Sequence, residues 1–148
     1  MRLSVQDCAF DYGRKAADFA AAAGNLGAGA VVTFCGIMRG SPKTVAEMII
    51  EHYPGMTEKA ISTMMDQAVE RWSLDDVLII HRYGRLIPGD IIMMVATASR
   101  HRADAFAAAD YLMDYLKSRA PFWKKEFSAT GQVWVVANAA DEAALARW

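Results

Sequence analysis

Hydrophobic and polar residues along this chain follow two periods in turn. Residues 14–23, RKAADFAAAA, are rich in helix formers and stop at Gly24, Asn25 and Gly27, which predicts a short helix closed by a glycine-rich break. Residues 30–38 (AVVTFCGIM) are apolar and β-branched, the pattern of a largely buried strand ending at Arg39. After the loop chemistry of RGSPKT, residues 45–53 (VAEMIIEHY) read as a second strand, closed by Pro54 and Gly55. The period then becomes helical. Ala60, Ile61, Met64, Met65, Ala68, Val69 and Trp72 share one stripe, with Thr57 as the expected N-cap. Residues 77–81 and 91–97 are two further strands, and PGD at 88–90 supplies turn chemistry for a hairpin that residues 82–87 extend. Ser99 is the expected N-cap of a helix running to about Arg119, with Phe106, Ala109, Leu112, Met113 and Leu116 toward the core and Pro121 at its end. PFWKKEFS reads as a loop or turn, residues 133–137 as a short strand and residues 141–147 as a terminal helical turn. This order predicts an α+β fold, an antiparallel sheet covered by helices, in a single domain over residues 1–148 without repeats or linkers.

Composition narrows the function classes. Sixteen basic against seventeen acidic side chains give a net charge of -1, so the electrostatic footprint of a general nucleic-acid binder is missing. With 54% hydrophobic residues the core is well supplied, and the excess of Met, Ile and Trp predicts burial between subunits of an oligomer. Cys8 and Cys35 belong to no CxxC pair or Cys/His cluster, which leaves zinc and dithiol chemistry without a ligand set and fits a reducing cytoplasm. Charges at Asp7, Asp11, Arg14 and Lys15 speak against a secretory leader, and no apolar run approaches membrane-span length. A soluble cytoplasmic protein is expected.

The chemistry-bearing candidates are cationic. Ser99-Arg100-His101-Arg102 sits at a helix N-terminus, where unpaired N–H groups and the dipole already favour an anion; solvated surface residues are the alternative. Lys117 falls in the last turn of that helix, a place where a lysine often only complements the dipole. Lys124 and Lys125 follow Pro121, Phe122 and Trp123, and apolar surroundings with a like charge nearby lower a lysine pKa toward acid-base use; two plain surface lysines are the alternative. Arg39, at a strand end before a Gly/Ser/Pro loop, is placed to reach a phosphate or carboxylate. His52 and His81 lie in strand patterns and are expected to be sheet histidines bonded to backbone, and the Met64-Met65 and Met93-Met94 pairs to fill core or interface. No Ser/His/Asp order, phosphate-binding glycine loop or HExxH motif occurs.

Four segments in order, EHYPGMTEKAI at 51–61, HRYGRLIPGD at 81–90, SRHR at 99–102 and MDYLKSRAPFWKKE at 113–126, resemble the large, catalytic subunits of molybdopterin synthase. The resemblance runs from about Gly29 to Trp148, with residues 1–28 as a variable N-terminal segment. It implies an α/β hammerhead with an additional antiparallel β subdomain. The implied activity is sulfur transfer from the thiocarboxylated Gly-Gly terminus of a small ubiquitin-like carrier to cyclic pyranopterin monophosphate, forming the dithiolene of molybdopterin in molybdenum cofactor biosynthesis. A homodimer of large subunits within a heterotetramer, no cofactor and no metal at this step follow from the same resemblance. Residue by residue, it places the substrate pocket on Ile37, Met38 and Arg39, on His101 and Arg102, on Lys117, and on Lys124, Lys125 and Glu126, with Lys117 and Lys124 as the catalytic pair. Ile37 stands where relatives often carry a polar residue, and the loop at 40–43 is short. A non-catalytic dimeric docking module for the carrier is the alternative, distinguished by an assay of sulfur transfer.

Overall fold

The computed structural model describes residues 1–40, 45–129, 131–135 and 139–148. The RGSPKT loop from Ser41 onward, and the last two residues of the strand expected over 133–137, lie outside the described residues. Among the described residues, two four-stranded open sheets and four helices make up the fold, an α+β arrangement as expected.

The first sheet has the order β1-β4-β6-β2, formed by β1 (Arg2–Gln6), β4 (Asp76–Arg82), β6 (Ile91–Ser99) and β2 (Ala30–Ile37). Only β1 pairs parallel, with β4; the other pairings in this sheet are antiparallel. Side-chain alternation sends Val77, Ile79, Met93 and Val95 to one face and Leu78, Ile80, Met94 and Ala96 to the other. Against the first face pack α2 (Met56–Trp72), through Ile61, Met64, Met65 and Ala68, and α3 (Arg102–Ser118), through Ala108, Leu112 and Leu116. Against the second packs α1 (Tyr12–Asn25), through Phe19 and Ala23. Burial on both faces explains why β4 and β6 read as nearly continuous apolar runs.

The second sheet has the order β5-β3-β7-β8, formed by β5 (Gly84–Leu86), β3 (Glu47–His52), β7 (Phe122–Ser128) and β8 (Gly131–Trp134), all antiparallel. A small cluster of Met38, Met48, Ile50 and Leu86 forms its core. The last helix is α4 (Ala139–Leu145), tied to α3 by Ser118 Oγ donating to the Asp141 carbonyl at 2.9 Å and by an Arg119–Glu142 ion pair at 2.8 Å.

Several expectations are corrected. PFWKKEFS is a strand, because β3 supplies a full ladder of partners, Glu47 opposite Phe127 through His52 opposite Phe122. The β4–β6 hairpin exists, but the excursion between its strands contributes β5 to the other sheet. Ser99 remains in β6, paired with Ala30 and accepting from Gly29 N–H at 3.1 Å; the N-cap of α3 is His101. Thr57 lies inside the first turn of α2, where its hydroxyl accepts from Tyr53 N–H and donates to the Pro121 carbonyl; the cap is Gly55, whose N–H is held by Glu58 at 2.7 Å. Residues 1–28 supply β1 and α1, and Leu3 and Val5 of β1 pack on the α2–α3 core, an arrangement that leaves their expected variability untouched.

Candidate functional site

A cavity of about 680 Å³ opens between the end of β2, the last turn of α3 and the inner face of the second sheet. The β2 side is shaped by a register shift between Gly36 and Ile37. A Cβ at Gly36 would stand 2.7 Å from Met93 Cγ, so only glycine lets the strand run this close to β6. Beyond the shift, Met38 exchanges backbone hydrogen bonds with the 89–90 turn, donating to the Asp90 carbonyl at 2.8 Å and accepting from Gly89 N–H at 3.0 Å. Met38 is thereby buried, while Ile37 and Arg39 are exposed along the rim.

Lys117 reaches the cavity from the last turn of α3, exposed. Lys124 and Glu126 enter from β7, two residues apart on the same face, and are half-buried. Burial pushes the Lys124 pKa below its ordinary 10.5, and the nearby Lys117 charge pushes it the same way; Asp141 and Glu126 oppose both. The result is an ammonium that gives up its proton more readily than a surface lysine.

Of the expected site residues, Ile37, Met38, Arg39, Lys117, Lys124 and Glu126 line this one cavity. Lys125 does not. It leaves the opposite face of β7, with Nζ over the rings of Phe127 and Trp134 at 5.6 and 5.2 Å. His101 and Arg102 are exposed at the other end of α3, roughly 22 Å along the helix axis from Lys117. Reasoning from sequence missed Phe34, Met113 and His81 as cavity walls. His81 is bonded to backbone as expected, Nδ1 lying 2.8 Å from the Arg82 carbonyl, yet it also faces the cavity, and no local signal in a buried strand pointed to that. A second, more open groove of about 800 Å³ runs between β2 and α3 and shares Phe34, Met113 and Lys117 with the first.

The family model described as MoaE protein matches residues 5–119. The molybdopterin synthase catalytic subunit of Cereibacter sphaeroides is 59% identical over 148 residues, covering all of both chains. The molybdopterin biosynthesis MoaE protein from Burkholderia ambifaria superposes with a TM-score of 0.83 at 48% identity, covering 99% of this chain and 97% of that one. A chain of the complex of subunits 1 and 2 of molybdopterin-converting factor from Helicobacter pylori shares the fold at a TM-score of 0.78 and 16% identity, over 90% of this chain and 89% of that one. With a family match over most of its length and a relative of this identity across the whole of it, the chain belongs to the MoaE protein family, the family of molybdopterin synthase catalytic subunits.

Proposed function

We propose that the chain is the catalytic subunit of a molybdopterin synthase and that the cavity between β2, α3 and β7 is where sulfur passes from the thiocarboxylated tail of a small ubiquitin-like carrier to cyclic pyranopterin monophosphate. The observation that carries this reading is the convergence of Arg39, Lys117 and Lys124 on one cavity, with Lys124 held below its ordinary pKa. When the carrier gives up its sulfur, an oxygen from water must replace it at the terminal carbonyl carbon, through a tetrahedral oxyanion. Lys117, exposed and cationic, stabilises that oxyanion, and Lys124 moves the proton. Arg39 on the rim, with Ile37 and Met38 beside it, binds the substrate's phosphate. Glu126 lines the same cavity and its charge attracts the Lys124 ammonium, and Lys125 contributes from the outer face of β7.

Partners follow the same reading. The Helicobacter pylori complex supports a small-subunit partner. A homodimer is supported by the open edge of β2, where Val31, Phe34 and Ile37 are exposed beside Phe106, 63% exposed on α3. Pairing two β2 edges antiparallel about a two-fold axis sets the Ala30 end of one strand beside the Ile37 end of the other. Because Ala30 pairs with Ser99, each α3 N-terminus would then face the other copy's cavity, and His101 and Arg102 would serve there as phosphate ligands. Two free cysteines fit a cytoplasmic setting, and no described helix is long and apolar enough to cross a membrane.

The test is transfer of sulfur from thiocarboxylated carrier to cyclic pyranopterin monophosphate by the purified chain. Carrier binding without transfer would favour the docking-module alternative, for which a half-buried lysine of lowered pKa has no use.

A further inference from the structure

Arg39 enters the scheme above as the phosphate ligand, and its place depends on how the chain leaves β2. The pairing of β2 with β6 shifts register between Gly36 and Ile37, and β2 ends at Ile37. Met38, the next residue, bonds to the turn that precedes β6: its N–H donates to the Asp90 carbonyl at 2.8 Å, and its carbonyl accepts from Gly89 N–H at 3.0 Å. Arg39 follows directly. The Met38 side chain packs with Met48, Ile50 and Leu86, which sets its depth, but the direction of the backbone at Arg39 follows the turn. Apolar packing does little to hold that turn, since Ile87 is 51% exposed and Gly89 is exposed.

Asp90 closes the turn twice. Its N–H donates to the Ile87 carbonyl at 3.0 Å across Pro88 and Gly89, and Gly89 has φ +96°, the residues and the conformation of a type II turn. Its side chain adds a second closure: Oδ2 accepts from Ile87 N–H at 2.9 Å, a donor just beyond the end of β5 at Leu86. Behind the carboxylate stands Arg82. That guanidinium, buried in β4, donates from Nη1 to the Ile91 carbonyl at 3.2 Å and lies 4.0 Å from the same Oδ2. One carboxylate therefore joins β4, the end of β5 and the start of β6 at the point where Met38 is bonded. Neither Asp90 nor Arg82 lines the cavity, so any effect of theirs on the site is indirect.

We propose that Asp90 is a positioning residue for Arg39: its carboxylate fixes the 87–90 turn, and the turn's two bonds to Met38 aim Arg39 at the substrate's phosphate. The inference rests on the phosphate-binding role given to Arg39 above. Asp90→Asn keeps an oxygen for Ile87 N–H, whereas Asp90→Ala removes it. In calorimetric titration with cyclic pyranopterin monophosphate, the Ala variant should bind roughly tenfold more weakly, and the Asn variant within about twofold of the parent. Coupling separates positioning from general loosening: in an Arg39→Ala background, Asp90→Ala should weaken binding no further. A further loss there overturns the proposal, as does an Ala variant with parent affinity or an Asn variant that loses as much as Ala. Should Asp90→Ala fail to fold, Gly89→Ala strains the same turn at φ +96° while its Cβ meets nothing within 4 Å. That variant should also bind more weakly, and parent affinity in it overturns the proposal. Arg39→Ala with parent affinity removes the reading of Arg39 and this inference together, while a weakly binding Arg39→Ala beside Asp90→Ala at parent affinity removes this inference alone.

Discussion

Lys124 concentrates the chemistry that single residues carry. Its folded pKa lies below the 10.5 of an unfolded chain, so its charge costs stability at neutral pH and removing that charge relieves the cost. Lys124→Met should therefore abolish most sulfur transfer while the thermal midpoint holds or rises, and Lys117→Ala should lose transfer with little change in midpoint. Near-normal turnover in both would refute the assignment of the pair. His81 has the same sign of shift with a clear window. Its stability contribution is complete above the ordinary value of 6.5 and is lost as pH falls from there toward about 3. The slope is about 1.4 kcal/mol per pH unit, so urea titrations at pH 7 and pH 5 should differ more for the parent than for His81→Gln. At the far end of α3, Arg102→Ala should weaken binding of cyclic pyranopterin monophosphate by roughly 1.5–3 kcal/mol, the range for a charge-assisted hydrogen bond, with carrier affinity kept. Calorimetry with each ligand checks this; equal losses for both would assign Arg102 to the carrier tail.

Among the elements, the joint between β2, β6 and α3 is the most exacting. Gly29 donates to the Ser99 carbonyl at 3.1 Å, and a Cβ there would stand 2.5 Å from the Arg100 carbonyl oxygen. Backbone on both sides leaves no flexible group to give way. Gly29→Ala should cost about 1–3 kcal/mol and displace the turn that presents His101 and Arg102. Gly24, near the end of α1, offers the contrast: a Cβ meets nothing within 4 Å, so Gly24→Ala should stabilise by about 0.5–1 kcal/mol. Denaturant midpoints of the two variants, shifted in opposite directions, check the pair. The same comparison marks how legible the elements were. The α2 stripe of Ile61, Met64, Met65 and Ala68 is buried as its spacing requires. β7 was not legible, because Phe122, Lys124 and Glu126 share its inner face and Trp123, Lys125 and Phe127 its outer one, so neither face reads as apolar.

At the scale of the whole molecule, the proposed site needs two copies of the chain. Light scattering should find a dimer alone and a heterotetramer with carrier; a monomer that ignores the carrier would refute the assembly. A mixing experiment tests the shared site. Lys117→Ala and the double variant His101→Ala/Arg102→Ala are each weak at low substrate, yet subunit exchange should restore about a quarter of parent activity, since half the dimers are mixed and each holds one complete site. No restoration would place all the groups of one site in one chain.

Local sequence determined what depends on neighbours within a few turns: the helices over α1, α2 and α3, the buried strands β4 and β6, the existence of β2 though not its half-exposed place at the sheet edge, and the inventory of candidate cations. These follow from side-chain periods that act before any distant contact forms. Tertiary structure alone decided which way each side chain of β7 points, that Lys124 enters the cavity while Lys125 leaves it, and that His81, unremarkable in a buried strand, stands against the cavity through its stack on Phe122. Those outcomes depend on pairings between residues far apart in the chain, Ile50 with Lys124 and Ala30 with Ser99 among them, and no local period encodes such a pairing.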